Sequence, residues 1–213
     1  MHFLPPAIEA YAQSHSEEEP ALLAELRRDT HLKHIQPRML SGHFQGRLLS
    51  VLSKIIKPKT VLEIGTYTGY SALCLAEGLP DDGILHTIEV NPELRKIQEE
   101  YIARAGYQHQ IILHTGDALA LIPQLDIEID LVFIDAEKKN YRAYFDAVLP
   151  KMKSGGVLLI DNVLWTGKVV EPLDPKDKTT EELMSFNQFM KEHPSLSTVL
   201  MPLRDGLTMS LVR

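Results

Sequence analysis

The chain has 213 residues, of which 24% are charged and 44% hydrophobic, and its formal net charge is -7. That size and balance fit a single α/β domain over 1–213 with its own core, and no compositional break divides it. An acidic chain without a clustered Lys/Arg stretch excludes nucleic acid and anionic membrane surfaces as expected partners.

Residues 1–57 read as helices that cover a core spanning 58–213. Ile8, Tyr11 and Ala12 fall at helical spacing, and the pattern breaks at Ser16-Glu17-Glu18-Glu19-Pro20. A second helix begins after Pro20, with Leu22, Leu23, Leu26 and Thr30 on one face. A third, over 42–57, places Phe44, Leu48, Leu49, Leu52 and Ile55/Ile56 on a stripe before Pro58 stops it.

From Thr60 the rhythm becomes α/β alternation. Strands are expected at 60–64, 83–89, 110–114, 129–135 and 156–161, with helices at 70–79, from Asn91-Pro92 to Gly106, at 118–125 and at 141–152. Such alternation argues for a parallel sheet with helices on both faces. A polar loop over 171–178 and a helix over 180–192 follow. Strands 196–203 and 207–212 then flank Arg204-Asp205-Gly206, and Asp-Gly between alternating runs signals an antiparallel hairpin. The expected sheet is therefore mostly parallel and seven-stranded, ending in that hairpin. No apolar run reaches 18 residues, and the start lacks a basic segment leading into an apolar one, so neither a membrane span nor a signal peptide is expected. The one cysteine, Cys74, cannot pair within the chain, which agrees with a cytoplasmic location.

Two constellations carry chemistry. The first strand runs into Glu63-Ile-Gly65-Thr66-Tyr-Thr-Gly69-Tyr-Ser71, where glycines let backbone turn sharply beside a ligand. This is G-x-x-x-G and not the G-x-G-x-x-G that cradles a dinucleotide diphosphate. An acid two residues before the first glycine suits a cationic nucleoside, with Glu63 reaching a sulfonium end. Glu89 ends the second strand twenty residues beyond Gly69, the separation of an acid that binds ribose hydroxyls. Gly116-Asp117-Ala118 ends the third strand and is placed to hold an adenine edge.

The second constellation follows strands four and five. They end in Asp135-Ala-Glu137-Lys138-Lys139-Asn140-Tyr141 and Asp161-Asn162-Val-Leu-Trp165. Neighbouring strands would gather Asp135, Asp161 and Asn162, three hard oxygen ligands suited to Mg²⁺, Mn²⁺ or Ca²⁺ and not to zinc. Singly, Asp161-Asn162 is also a turn pair and Asp135 also a helix cap.

The stretches VLEIGTYTGYSAL, FIDAEKKNYRAYF and GGVLLIDNVLW resemble the cation-dependent O-methyltransferases typified by plant caffeoyl-coenzyme A O-methyltransferase, with catechol O-methyltransferase a more distant cousin. The resemblance covers about Pro37 to the C-terminus and implies a class I methyltransferase fold of Rossmann-like form. It implies that Asp135, Asp161 and Asn162 hold the metal, and that Ser41, Glu63, Gly65, Thr66, Ser71, Glu89 and Ala118 contact S-adenosylmethionine. Asp117 and Asp135 border that cofactor in the same reading. Lys138 stands at the cousin's general base and works beside Asp135, made competent by the adjacent divalent charge. The implied acceptor is a small aromatic diol, with Trp165 and Tyr141 candidates either for stacking on its ring or for packing the core, Trp165 equally for a dimer contact, and the implied assembly is a homodimer. Glu137 replaces the family's usual Asp, and Thr166 stands where the plant enzymes carry Asn. These departures leave the chemistry in place and bear on the acceptor.

Two other readings compete: an NAD-dependent dehydrogenase, and a catalytically silent protein of the same fold that binds S-adenosylmethionine. Other residues are given bland roles. His31 and His34 lack the further ligands structural zinc wants. Cys74 reads as a small buried hydrophobe, and Glu17–Glu19 as a solvated helix boundary. Met184, Phe186, Phe189 and Met190 read as the packing face of a helix.

Overall fold

The computed structural model describes residues 5–213. Its seven strands are β1 (Thr60–Ile64), β2 (Ile84–Glu89), β3 (Ile111–Thr115), β4 (Ile129–Ile134), β5 (Met152–Asp161), β6 (Leu196–Met201) and β7 (Leu207–Val212). They form one sheet in the order β3-β2-β1-β4-β5-β7-β6. β1 with β2, β2 with β3 and β4 with β5 pair in parallel, while β7 pairs antiparallel with β5 and with β6. This is the mostly parallel sheet with a terminal hairpin that the sequence predicts. The chain falls into two compact units, one over Pro6–Ala118 and one containing Leu119–Arg213.

In the first unit, α1 (Pro6–Ser14) is followed by α2 (Ala21–Lys33), which buries Leu23, Leu26 and Thr30 as its spacing predicts. α3 (Gly42–Ile56) departs from expectation. Its buried face is Gln45, Gly46, Arg47, Leu49, Ser50 and Ser53, whereas Ile55 of the predicted stripe is 72% exposed. The reason lies in α4 (Tyr70–Ala76) and the residue after it, Glu77. The Arg47 guanidinium meets Glu77 at 2.6 and 3.0 Å, and Ser50 Oγ donates to the same carboxylate at 2.7 Å. A charge so deeply covered must be paired, so the helix turns its polar face inward. Burial works to raise the Glu77 carboxyl, and the hydrogen bonds from Arg47, Ser50 and Lys54 hold it below its ordinary value. The two helices touch closely: a Cβ on Gly78 would lie 2.2 Å from the Ser53 carbonyl carbon.

α5 (Arg95–Ala105) follows a short turn in which the Asn91 side chain accepts from Glu93 N, and it ends at Gly106 with φ 81°. Left-handed backbone there is why a glycine closes the helix.

In the second unit, α6 (Ala118–Leu121) and α7 (Tyr141–Val148) are shorter than predicted, each finishing in a tight 3₁₀ turn that carries a proline. Proline cannot donate into the ladder of a continuing α-helix. α8 (Lys178–Glu192) is capped by the Asp177 carboxylate, which accepts from Thr180 N. It buries Leu183, Phe186 and Met190, while Met184 is 37% exposed and so leaves the predicted packing face. The Phe189 ring lies edge-on to Phe145 and carries the Arg142 guanidinium at 3.6 Å. Apolar residues of β4 and β5 (Leu131–Ile134, Leu158–Ile160) are fully buried. At about 1.5–3 kcal/mol for each large side chain withdrawn from water, they make a firm platform for the residues at the strand ends. Among the described residues no helix is long and apolar enough to cross a membrane.

Candidate active site

The glycine loop lies between β1 and α4. Gly65 (φ 101°), Tyr67 (φ 48°) and Gly69 (φ 95°) are all left-handed. Only glycine adopts that conformation without strain, so Tyr67 needs support from outside the loop. Glu89 supplies it: one carboxylate oxygen accepts from Tyr67 N at 2.7 Å and the other from Asn91 N at 2.9 Å. Gln98 of α5 donates to the Tyr67 carbonyl at 2.7 Å. The predicted ribose acid is thus fixed by backbone donors at the end of β2, beside Gly116, whose N–H donates to the Glu89 carbonyl at 2.9 Å.

Glu63 is fully buried on β1, opposite its register partner Thr87. Thr87 Oγ1 donates to Glu63 Oε2 at 2.5 Å and also bonds the Thr66 hydroxyl. Glu63 thus lies buried beneath the first glycine with a hydroxyl donor on its carboxyl group. Ser41, before α3, and Ser71, in α4, are buried, as is Ala118, while Asp117 is exposed. Gln98, Asn91 and Thr87 were not singled out from the sequence. Thr87 had a signal, a polar residue two positions before Glu89 and so on its face of the strand. Gln98 had none.

In the second unit β4 and β5 pair in parallel, which sets their C-terminal ends side by side. Ile134 of β4 is the register partner of Ile160 of β5, so Asp135 and Asp161 are the next residues along adjacent parallel strands. Asp161 Oδ1 accepts from Asn162 N at 2.8 Å, and Asn162 is left-handed (φ 58°). Asp135 is mostly buried, and burial pushes its carboxyl above the ordinary value against the pull of Lys138. Lys138 begins a 3₁₀ turn and reaches back, Nζ standing 3.4 Å from Asp135 Oδ1 and 3.1 Å from the Ala136 carbonyl. Two carboxylates and an amide oxygen, one carboxylate under desolvation, form a donor set that fits a hard divalent cation.

Of the two roles open to Tyr141, ring stacking and core packing, the structure shows the second. It is fully buried, and its hydroxyl donates to the Asp161 carbonyl at 2.7 Å. It packs the core beneath the strand end and has no face to offer an acceptor ring. Trp165 is half-buried in a turn where Trp165, Thr166 and Gly167 are all left-handed, and its buried indole N–H has no partner among the described residues. The hairpin turn holds this segment: Asp205 Oδ1 accepts from Thr166 N, and the Asp205 carbonyl accepts from Leu164 N.

A glycine turn after the first strand, an acid ending the second and oxygen donors ending the fourth and fifth, on this strand order, define a class I methyltransferase fold. The sequence profile of the O-methyltransferase family matches residues 13–213. Caffeoyl-CoA O-methyltransferase 2 of Eucalyptus globulus is 36% identical over 202 residues, covering 90% of this chain and 81% of that one. Among solved structures, the methyltransferase PaMTH1 of Podospora anserina superposes with a TM-score of 0.90 at 28% identity, over 99% of this chain and 98% of that one. The O-methyltransferase TomG of Streptomyces achromogenes gives 0.87 at 30% identity, over 97% and 96%. The chain belongs to the O-methyltransferase family, which removes the dehydrogenase reading.

Proposed function

We propose that this enzyme moves the methyl group of S-adenosylmethionine onto a hydroxyl of a small aromatic diol, with a divalent cation. The observation that supports this reading is the parallel register of β4 and β5, whose adjoining ends are followed by Asp135 on one strand and Asp161-Asn162 on the other, residues with hard oxygen donors. Structures similar to this chain are described as bound to S-adenosylhomocysteine (PaMTH1) and to S-adenosylmethionine (TomG), and the plant relatives are named for a caffeoyl ester, itself a catechol.

On this reading Glu89 binds the ribose hydroxyls, and Gly65 and Thr66 let the nucleoside approach the loop backbone. Glu63 lends negative charge toward the sulfonium end, with Ser41 and Ser71 alongside and Asp117 and Ala118 at the adenine. Asp135, Asp161 and Asn162 would hold Mg²⁺, with Mn²⁺ or Ca²⁺ as substitutes. When bound, the cation lowers the pKa of an acceptor hydroxyl, and S-adenosylmethionine supplies an electrophilic methyl carbon. Held toward Asp135 beforehand, Lys138 would take the acceptor proton as the neutral amine, once its own ammonium proton has passed to solvent. Trp165 stacks on the acceptor ring.

The assembly proposed is a homodimer. Met184 of α8 with Val199 and Leu200 of β6 border an open groove of about 570 Å³, an apolar surface that a second copy can cover.

The test is methyl transfer from labelled S-adenosylmethionine to a panel of catechols, with Mg²⁺ and with chelator. Mg²⁺-dependent product is expected. Product undiminished by chelator would overturn the cation, and binding of S-adenosylhomocysteine without product from any diol would overturn the acceptor class.

A further inference from the structure

The acidic turn before α2 does not behave as a solvated helix boundary. Glu18 is exposed, but the side chain of its neighbour Glu19 is only 10% exposed. Its carboxylate accepts from the Tyr70 hydroxyl at 2.6 Å and from Arg27 Nε and Nη2 at 2.9–3.2 Å. Burial works to raise the Glu19 carboxyl, and the bonds from Arg27 and Tyr70 hold it below its ordinary value. Glu17 is tied down as well, its carbonyl accepting from His43 Nε2 at 2.7 Å.

Tyr70 lies between Gly69 and Ser71, with its ring fully buried. On the other side of Gly69, the Thr68 hydroxyl accepts from Thr30 Oγ1 of α2 at 3.0 Å, and both threonines are fully buried. α2 is itself anchored, since Arg104 of α5 grips Glu25 at 2.5 and 3.0 Å. The glycine loop therefore has two sets of side-chain anchors. Glu89 and Gln98 hold it at Tyr67 from the strand and helix that follow, and Glu19 and Thr30 hold it on both sides of Gly69 from the segment that precedes.

We propose that Glu19 and Thr30 are positioning residues for nucleoside binding, clamping Tyr70 and Thr68 so that the loop is already in its binding conformation before the ligand arrives. The clamp rests on the reading that this loop receives the nucleoside. Its physical basis is preorganisation: a loop with three left-handed residues that had to be ordered by its ligand would bind more weakly by the cost of ordering. No contact between the clamp and the ligand is required.

The experiment is calorimetric titration of the full chain with S-adenosylhomocysteine, beside a denaturant midpoint for each variant. Glu19→Ala is expected to weaken binding about tenfold, which is ~1.4 kcal/mol. Tyr70→Phe and Thr30→Val should each weaken it about threefold to fivefold, in line with loss of one hydrogen bond. Glu19→Gln should recover most of the affinity, because its amide oxygen still accepts from Tyr70, and Glu18→Ala should match the parent. Should Glu19→Ala not fold, Tyr70→Phe, which loses one hydroxyl, carries the same test. Parental affinity in folded Glu19→Ala and Tyr70→Phe, with Glu89→Ala weakened, overturns the clamp alone. Parental affinity in Glu89→Ala overturns the nucleoside placement and the clamp with it.

Discussion

The strand ends of the two units are built on opposite principles. Around β1 and β2 the backbone is bent but supported: left-handed Tyr67 has its N–H taken by Glu89 and its carbonyl by Gln98, and Thr68 and Tyr70 are held from α2 and the turn before it. Around β4 and β5 the chain stores cost. Asp135 is desolvated, Asn162, Trp165 and Thr166 are left-handed without being glycine, and a buried indole N–H has no partner among the described residues. Strain and imperfectly matched charge persist where something else completes them, whereas a satisfied hydrogen-bond frame is complete by itself. On the function proposed above, the first region would receive its ligand without rearranging and the second would be finished by one.

The sharpest way to break that contrast is Asp161→Ala. Catechol methylation in Mg²⁺ should fall by more than about 100-fold, since even residues that merely orient metal ligands are worth 10–100-fold. Affinity for S-adenosylhomocysteine, measured by calorimetry, should stay near parental. A matching loss of both would mean that the two regions do not have separable tasks. A smaller effect sharpens the account of the supported region. Gly78→Ala places a Cβ against the Ser53 backbone and should destabilise the fold by about 1–3 kcal/mol, read as a lower urea midpoint. An unchanged midpoint would show that α3 and α4 are not packed tightly enough to brace the loop.

The smallest effect is a pH dependence confined to the first unit. His86 and His114 stack with ring centroids 5.3 Å apart and share one hydrogen bond at 3.0 Å. Burial holds both imidazoles below their ordinary 6.5, helped at His86 by His114 and at His114 by Arg95. Because the folded state binds these protons less readily than the unfolded one, their contribution is whole above pH 6.5 and is lost as pH falls through the lowered values. Amide protection factors at β2 and β3, corrected for the intrinsic pH dependence of exchange, should therefore fall between pH 7 and about 5 in the parent, and less so in His114→Gln. Equal loss of protection in both would remove the pair from the account.

Much of the sheet was legible because its strands are short apolar runs bounded by turn residues. 60–64 and 207–212 match residue for residue, and Asp135, Asp161 and Asn162 follow from strand ends alone. What was not legible depends on partners distant in sequence. The apolar stripe of α3 indicated only part of the buried face, because Glu77, thirty residues on, draws Arg47 inward beside Leu49. Glu19 reads as solvated until Tyr70, fifty-one residues away, is found against it. Tyr141 looks like a ring poised for substrate until its hydroxyl is seen on the Asp161 carbonyl. Periodicity reports how a segment meets an average interior, not which polar group waits there.

The hairpin has a consequence for how the molecule is made. β7 lies between β5 and β6, so the last strand synthesised inserts between two made earlier. The turn before it, through Asp205 and Gly206, supplies the acceptors for Val163, Leu164 and Thr166 N–H groups. Without residues 204–213 the chain would lose β7 and these acceptors together, so the edge of the sheet and the segment around Trp165 depend on the same short stretch.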